Sequence, residues 1–269
     1  SDGRPIIGLA SRDLLEITLE TAPDAVFIPA HIWTPHFSLL GAYSGFDDIR
    51  ACFGDLTAHI HALETGLSSN PAMNVRLSAL DGYTLVSNSD AHSPANLARE
   101  ANLFDTELSY PHIVRALDGR NPGAFFGTLE FFPEEGKYHY DGHRSCGVRM
   151  KPAETMAAGG VCPVCGGRIT VGVLHRVEAL ADRAEDAEPP RVQYFESLIA
   201  LREVIAASLG VTSASKKVRV QFDAMLRGLG PELYILREAP LEDIARHAGE
   251  RIAEGIRRLR SGQVDIQPG

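Results

Sequence analysis

Hydrophobic positions recur along this chain in two alternating rhythms. Helical spacing over residues 11–20, 45–53, 94–101 and 111–117 is interleaved with short apolar runs at 24–30, 59–63 and 83–88. That alternation predicts β/α units around a largely parallel sheet. Asn121-Pro122-Gly123 marks a turn, and 124–132 reads as a further strand. From 134 to 173 the periodicity lapses into a glycine-, cysteine- and histidine-rich stretch. An acidic, proline-ended segment, 182–190, reads as an exposed linker. Beyond it, 194–209, 215–229, 241–248 and 250–261 regain helical spacing, broken at Gly210, Gly230-Pro231 and Gly249. The expected organisation is an α/β portion over 1–133, a small ribbon over 134–181 and a helical region over 182–269.

The polar residues that end the apolar runs carry the first chemical signal. Ser89-Asp90-Ala91-His92 follows the run at 83–88, and a period of two puts Asp90 and His92 on one face of an extended chain. A carboxylate and an imidazole leaving a buried strand together suit a divalent cation with positions left open for substrate. The competing reading is an Asp that caps the helix starting near Pro94 and a His in a loop. Two other runs end similarly: 24–30 leads into His31, with His36 close behind, and 59–63 leads into Glu64. Strand carboxyl ends are where loops converge in α/β folds, so His31, Glu64, Asp90 and His92 form the candidate catalytic set. His59 and His61 are expected to be hydrogen-bonded core residues.

A second signal is His143-x2-Cys146, followed by Cys162-Pro-Val-Cys165. Two tight knuckles with paired ligands make a closed tetrahedral site, for which thiolate and imidazole suit zinc, and so small a ribbon needs the ion to fold. His139 and Asp141 are alternatives to His143. The glycines after Cys146 and Cys165 permit the knuckle backbone. A structural disulfide is disfavoured, since the chain has four cysteines and one, Cys52, stands alone in a helical pattern.

With 44% hydrophobic residues in 269, the chain can fill one large core and one or two small ones. No apolar stretch reaches the length of a membrane span and no secretory pattern is visible, so the expected location is intracellular, with no membrane partner. The start at Ser1-Asp2-Gly3, without Met, points to a fragment or a processed chain. The net charge of −9 is unevenly spread: residues 211–260 hold ten Lys/Arg against seven Asp/Glu, the remainder 16 against 28. Ser215 preceding Lys216 and Lys217 would set a helix N-terminus beside two ammonium groups, which suits a phosphate. Arg251, Arg257, Arg258 and Arg260 extend the charge, or form an ordinary solvated helix face.

Three stretches, 29–35 (PAHIWTP), 63–69 (LETGLSS) and 87–94 (SNSDAHSP), resemble the later motifs of the PHP (polymerase and histidinol phosphatase) superfamily. Adding 137–144 (KYHYDGHR), 162–166 (CPVCG) and 173–177 (VLHRV) narrows the resemblance to endonuclease Q, over nearly the whole chain. The resemblance implies a partial PHP-type (β/α) barrel, a zinc-binding ribbon and a helical C-terminal region. It implies that His31, Asp90 and His92 hold catalytic divalent metals (Zn²⁺, Mn²⁺ or Mg²⁺), with Glu64 beside them, and that His143, Cys146, Cys162 and Cys165 hold a structural Zn²⁺. It implies cleavage of DNA 5′ to deaminated bases (hypoxanthine, uracil, xanthine) or at abasic sites, in the cytoplasm at the nucleoid. PHP proteins open with a His-x-His strand and further ligands that have no counterpart before His31, so the first half of the barrel is expected to be absent, and the resemblance supports the function of the parent protein more firmly than the activity of this piece; the end at 265–269 also reads as abrupt. Metal-bound water near neutral pKa and a flipped lesion would serve that chemistry. Phe131, Phe132, Tyr138 and Tyr140 either stack on a base or pack the ribbon; His175 and Arg176 are candidate phosphate contacts. A phosphoesterase for a small metabolite and a non-catalytic zinc-ribbon DNA-binding fragment are the alternatives.

Overall fold

The computed structural model describes residues 7–43, 45–121, 123–188 and 193–266. The features expected at Ser1-Asp2-Gly3, at Pro122, at Pro189-Pro190 and at Gln267-Pro268-Gly269 fall outside them. The chain divides into two compact units, one running to Glu196 and one from Ser197.

The first unit begins with α1 (Ser11–Thr21) and the short α2 (Ile49–Phe53), then β1 (Ala62–Glu64), α3 (Pro71–Asn74) and β2 (Thr84–Val86). β1 and β2 pair in parallel, Leu63 opposite Leu85, and are buried along their whole length. The run 24–30 is not a ladder strand. Pro29 has no N–H to donate, yet its carbonyl accepts from Glu64 N at 3.1 Å, and Ile32 N donates to Glu64 O at 3.1 Å, so the run lies alongside β1. β3 (Ala101–Phe104), α4 (Tyr110–Leu117) and β4 (Phe125–Glu130) follow, with β7 (Tyr194–Ser197) completing a sheet of order β3-β4-β7. β3 and β4 are antiparallel, so in place of the expected single, largely parallel sheet the described residues form a parallel pair, β1-β2, and a separate sheet that holds an antiparallel pair. Among the described residues, no sheet closes into a barrel.

The expected helix at 94–101 is a single 3-10 turn, Pro94–Asn96. Ala98 sits at φ 60, a left-handed conformation that stops a helix, and β3 starts three residues later. Likewise 194–209 divides into β7 and α7 (Leu201–Leu209).

One core joins α1, β1, β2 and the loops around them: Leu15, Trp33, Phe53, Leu63 and Leu85 pack with Val173 and Val177. The last two belong to α6 (Val173–Leu180), so the ribbon's trailing helix is anchored in this core. Buried Trp33 donates its indole N–H to Asn74 Oδ1 at 2.8 Å, and Asn74 Nδ2 donates to Asn70 O, which satisfies the polar edge of an apolar pocket. The start of the expected linker is pinned: Arg183 pairs with Asp81 and donates to Val75 O at 3.0 Å, while Asp182 accepts from Ser78 N at 2.8 Å. Gln193 uses its amide as a strand would, accepting from Leu85 N and donating to Leu85 O.

The ribbon comprises the hairpin β5 (Asp141–His143) and β6 (Val148–Met150), then α5 (Pro152–Ala157). The bridge Gly142↔Thr170 holds the second knuckle to it, and Val161↔Arg168 closes that knuckle on itself.

The second unit is helical: α7, α8 (Lys216–Leu229), α9 (Glu232–Arg237), α10 (Leu241–Ala248) and α11 (Glu250–Arg260). Its core is Leu201, Ile205, Met225, Ile235, Ile244 and Ile256, one face of each helix. Among the described residues, no helix is long and apolar enough to cross a membrane.

Candidate functional site

The ends of β1 and β2 place the first candidate residues on neighbouring loops. Glu64 is buried, and both of its oxygens are used: Oε2 accepts from His31 N at 2.6 Å and Oε1 from Asn88 Nδ2 at 2.8 Å. One carboxylate thus ties the His31 turn to the loop that carries Asp90 and His92. His31 and Asp90 both hold left-handed backbone (φ 31 and 43), strain that persists only when surroundings enforce it and that clusters at functional sites. Gly66 allows the close approach, since a Cβ there would lie 2.7 Å from the Cβ of His31.

Tautomers follow from hydrogen bonding. His92 Nδ1 lies 2.8 Å from the carbonyl of Asp90, which only accepts, so Nδ1 carries the proton and Nε2 the lone pair. The Thr34 hydroxyl lies 3.1 Å from His31 Nδ1 and also reaches the carbonyls of His31 and His36, so its contact holds the His31 ring at Nδ1 whichever of the three takes its single proton. These donors, with Asp90, suit a divalent cation in kind. Among the described residues, however, His31, Glu64, Asp90 and His92 are not gathered into a three-donor group. His36 is exposed and stacks on Tyr43 at 5.0 Å. His59 and His61, expected in the core, are exposed around the end of a 3-10 helix, where the apolar neighbours Ile60 and Ala62 take the inward positions.

Beneath the rim lies a layer that sequence reasoning missed. Glu130, fully buried on β4, accepts from Thr65 Oγ1 at 3.1 Å, Ser87 Oγ at 3.1 Å and Thr128 Oγ1 at 2.5 Å. It joins the residue after Glu64 to the residue before Asn88. Asn102 adds a strand-like pair, donating to Ser87 O and accepting from Ser87 N, and also donates to Asn88 Oδ1. Buried Glu100 accepts from Phe131 N at 3.1 Å through Oε1, and its Oε2 has no partner. Burial, reinforced by the charge of Glu130, pushes Glu100 up to about 8; burial, opposed by the hydroxyl donors, pushes Glu130 up to about 7. The available signal was a glutamate inside an otherwise apolar run at 124–132.

In the ribbon, the ligand atoms of His143, Cys146, Cys162 and Cys165 all lie within 4.8 Å of one another. That spread fits the edges of a tetrahedron around zinc. Burial opposes ionisation of Cys162, but N–H groups of Cys165 and Val164 and the neighbouring thiols outweigh it, and its pKa is lowered. The hydrogen bond to Cys165 pushes Cys146 up to about 11. The cluster therefore favours a thiolate at Cys162 and opposes one at Cys146 unless a cation balances it. The two alternatives to His143 lie elsewhere: His139 is buried with Nδ1 unpartnered, and Asp141 accepts from Gly172 N and pairs with His175 Nδ1, both at 2.6 Å.

The candidate phosphate contacts sort into two kinds. Arg176 spans loops of its own unit, donating to Leu40 O at 2.8 Å and Phe46 O at 3.1 Å and pairing with Asp47; His175 is held by Asp141. Lys216 and Lys217 are exposed in the first turn of α8, which Ser215 caps by accepting from Val218 N. On α11, Arg257 and Arg258 both bind Glu254, holding it down at about 2, and Arg260 closes the carbonyls of Ile235, Leu236 and Ala239.

The MJ0043 C-terminal domain family matches residues 200–263. The chain is 32% identical to the uncharacterized protein YqxK of Bacillus subtilis over 248 residues, 91% of this chain and 58% of that one. It is 29% identical to the uncharacterized protein MJ0043 of Methanocaldococcus jannaschii over 276 residues, 98% of this chain and 34% of that one. The crystal structure of the lesion-specific endonuclease PfuEndoQ from Pyrococcus furiosus matches with a TM-score of 0.86 at 32% identity, over 99% of this chain and 65% of that one. The complex of endonuclease Q with a 27-mer duplex bearing an abasic lesion at the active site matches at 0.86 and 31% identity, over 99% and 66%. This chain therefore spans about a third to two thirds of the proteins it matches.

Two outcomes are expected. The purified chain carries one tightly held zinc through its ribbon by elemental analysis, and Cys162→Ser loses it and leaves the remaining thiols open to rapid alkylation; retention of zinc in that variant contradicts the site. The raised pKa of Glu100 means that the native state holds a proton the unfolded chain releases from about pH 4.5 upward, so the group costs stability increasingly between its unfolded value and about 8. Glu100→Gln should therefore gain stability over the wild type in urea unfolding at pH 8–9 and lose that advantage near pH 4. A constant difference across the range contradicts the assignment.

Proposed function

We propose that this chain, which is similar to endonuclease Q over 99% of its own length, is part of a metal-dependent DNA repair endonuclease that hydrolyses the phosphodiester 5′ to a deaminated base (hypoxanthine, uracil or xanthine) or at an abasic site. The observation that carries the reading is the Glu64 brace: it holds the His31 turn and the Asp90–His92 loop at one rim, in a chain that matches a lesion-specific endonuclease along its whole length. In this reading, residues 1–133 are the later part of a PHP-type barrel, 134–181 a zinc ribbon and 182–269 a helical region.

His31, Asp90 and His92 would hold divalent metal at that rim, which supplies a water acidic enough to attack at neutral pH and a counter-charge for the phosphate. The chain's own contribution is positioning. Hydrogen bonds at the Nδ1 atoms of both histidines hold the rings and leave their Nε2 atoms to serve as ligands. Glu64, with both oxygens occupied, fixes the spacing of the two loops, and Glu130 fixes Glu64 through Thr65. The zinc of the ribbon is structural. Lys216 and Lys217 would contact DNA phosphate at a helix N-terminus.

One observation favours a second reading, a zinc-ribbon DNA-binding fragment without catalysis: the rim donors do not form a three-donor group among the described residues.

A nicking assay separates the two. With Mn²⁺ or Mg²⁺, the chain is expected to cut a duplex holding one hypoxanthine, uracil or abasic site on the 5′ side of the lesion. Asp90→Asn should lower the rate by more than about 100-fold. Binding without cutting supports the second reading, and neither binding nor cutting contradicts both.

A further inference from the structure

In the first unit a cavity of about 320 Å³ opens between α3, the start of β2, the 182–187 segment and β7, a size that holds a small molecule. Its floor is apolar: Val75, Leu80, Tyr83, Leu85 and Phe195. Most polar groups on its lining are already spent. Asn74 is bonded to Trp33 and Asn70, Gln193 to the backbone of Leu85, and Asp81 to Arg183. Two are not. The turn closed by Ala187 N on Ala184 O presents Glu185 and Asp186, both exposed and without a hydrogen-bonded or ionic partner among the described residues. The described lining residues include no Lys, Arg or His, so nothing on the lining balances these two charges. The wall that carries them is fixed in advance: Arg76 Nε donates to Arg183 O at 2.9 Å, and Gln193 binds Leu85 as a neighbouring strand would.

An apolar floor beneath two free carboxylates selects against most ligands. A phosphate or a nucleic-acid strand meets like charge, and a neutral apolar molecule leaves both carboxylates unused. A bare divalent ion needs several converging oxygens, and Glu185 and Asp186 join no third donor residue among the described residues. A protonated amine on an aromatic or aliphatic body uses every part. The body displaces water from Leu80 and Leu85, the rings of Tyr83 and Phe195 attract a cation, and the ammonium group meets the carboxylates. We propose that this cavity binds a small organic cation, its apolar body against Leu80, Tyr83 and Phe195 and its amine at Glu185 and Asp186. The site uses residues of the first unit alone and does not depend on the nuclease reading.

The test is isothermal titration calorimetry of the whole chain near neutral pH with three probes of one shape and different charge: phenethylamine, phenethyl alcohol and hydrocinnamate. The amine should saturate a single site with a millimolar or tighter Kd, at least about fivefold tighter than the alcohol, and hydrocinnamate should show no saturable binding. The double variant Glu185→Gln/Asp186→Asn should weaken the amine about fivefold and bind amine and alcohol alike. Ala72→Trp, which places an indole at the cavity from an exposed lining position, should abolish binding of both. Urea unfolding reports whether each variant has kept its fold; if Ala72→Trp is destabilised, the double variant at two exposed positions decides. Absence of saturable amine binding to the wild type overturns the site. So does an affinity for the amine that is the same in the folded double variant as in the wild type.

Discussion

A carboxylate removed from water must have its oxygens bonded, or it takes up a proton or leaves. The rim of the first unit is built around that requirement. Glu64 meets it by accepting from the backbone of the His31 turn on one side and from the Asn88 side chain on the other. Everything around these two bonds serves to present those donors. Gly66 lets the turn approach, the left-handed backbone at His31 directs its N–H, and Asn102 aims Asn88. Glu130 meets the same requirement one layer down with three hydroxyl donors. Glu100 meets only half of it, and correspondingly retains its proton to high pH.

The ribbon answers a different constraint, a core too small to hold itself. It is secured twice, by four ligand atoms positioned for a common ion and by α6, whose Val173 and Val177 enter the main core. Asp141 links the two supports, joining the β5 strand to the start of α6 through Gly172 and His175. A continuous set of hydrogen bonds thereby runs from the hairpin to the helix, and Arg176 on that helix extends it to the loop of Leu40 and Phe46.

What the sequence disclosed depended on the range of the interactions. The zinc quartet was legible because each knuckle brings its ligands together within a few residues. The rim residues were legible one at a time, since Asp-x-His and a histidine after an apolar run are local patterns. The brace was not, because Glu64 and its donors are separated by 33 and 24 residues. Glu130 was hidden in the same way, its hydroxyl partners coming from three different segments. The misread elements have local causes: Pro29 denies the ladder a donor, and Ala98 turns left-handed and ends the helix begun at Pro94. Charge was the poorest guide. Arg176 read as a candidate phosphate contact and Arg260 as part of a basic helix face, but each binds backbone carbonyls of its own unit, which no count of basic residues reveals.

The central claim is that Glu64 positions the His31 turn through a short bond to the His31 amide. Hydrogen exchange at that amide, followed by NMR in the wild type, Glu64→Gln and Glu64→Ala, tests it most directly. The account predicts slow exchange in the wild type and in Glu64→Gln, which keeps an acceptor, and fast exchange in Glu64→Ala, while amides of β1 and β2 stay protected. Equal protection of the His31 amide in Glu64→Ala and the wild type would contradict it.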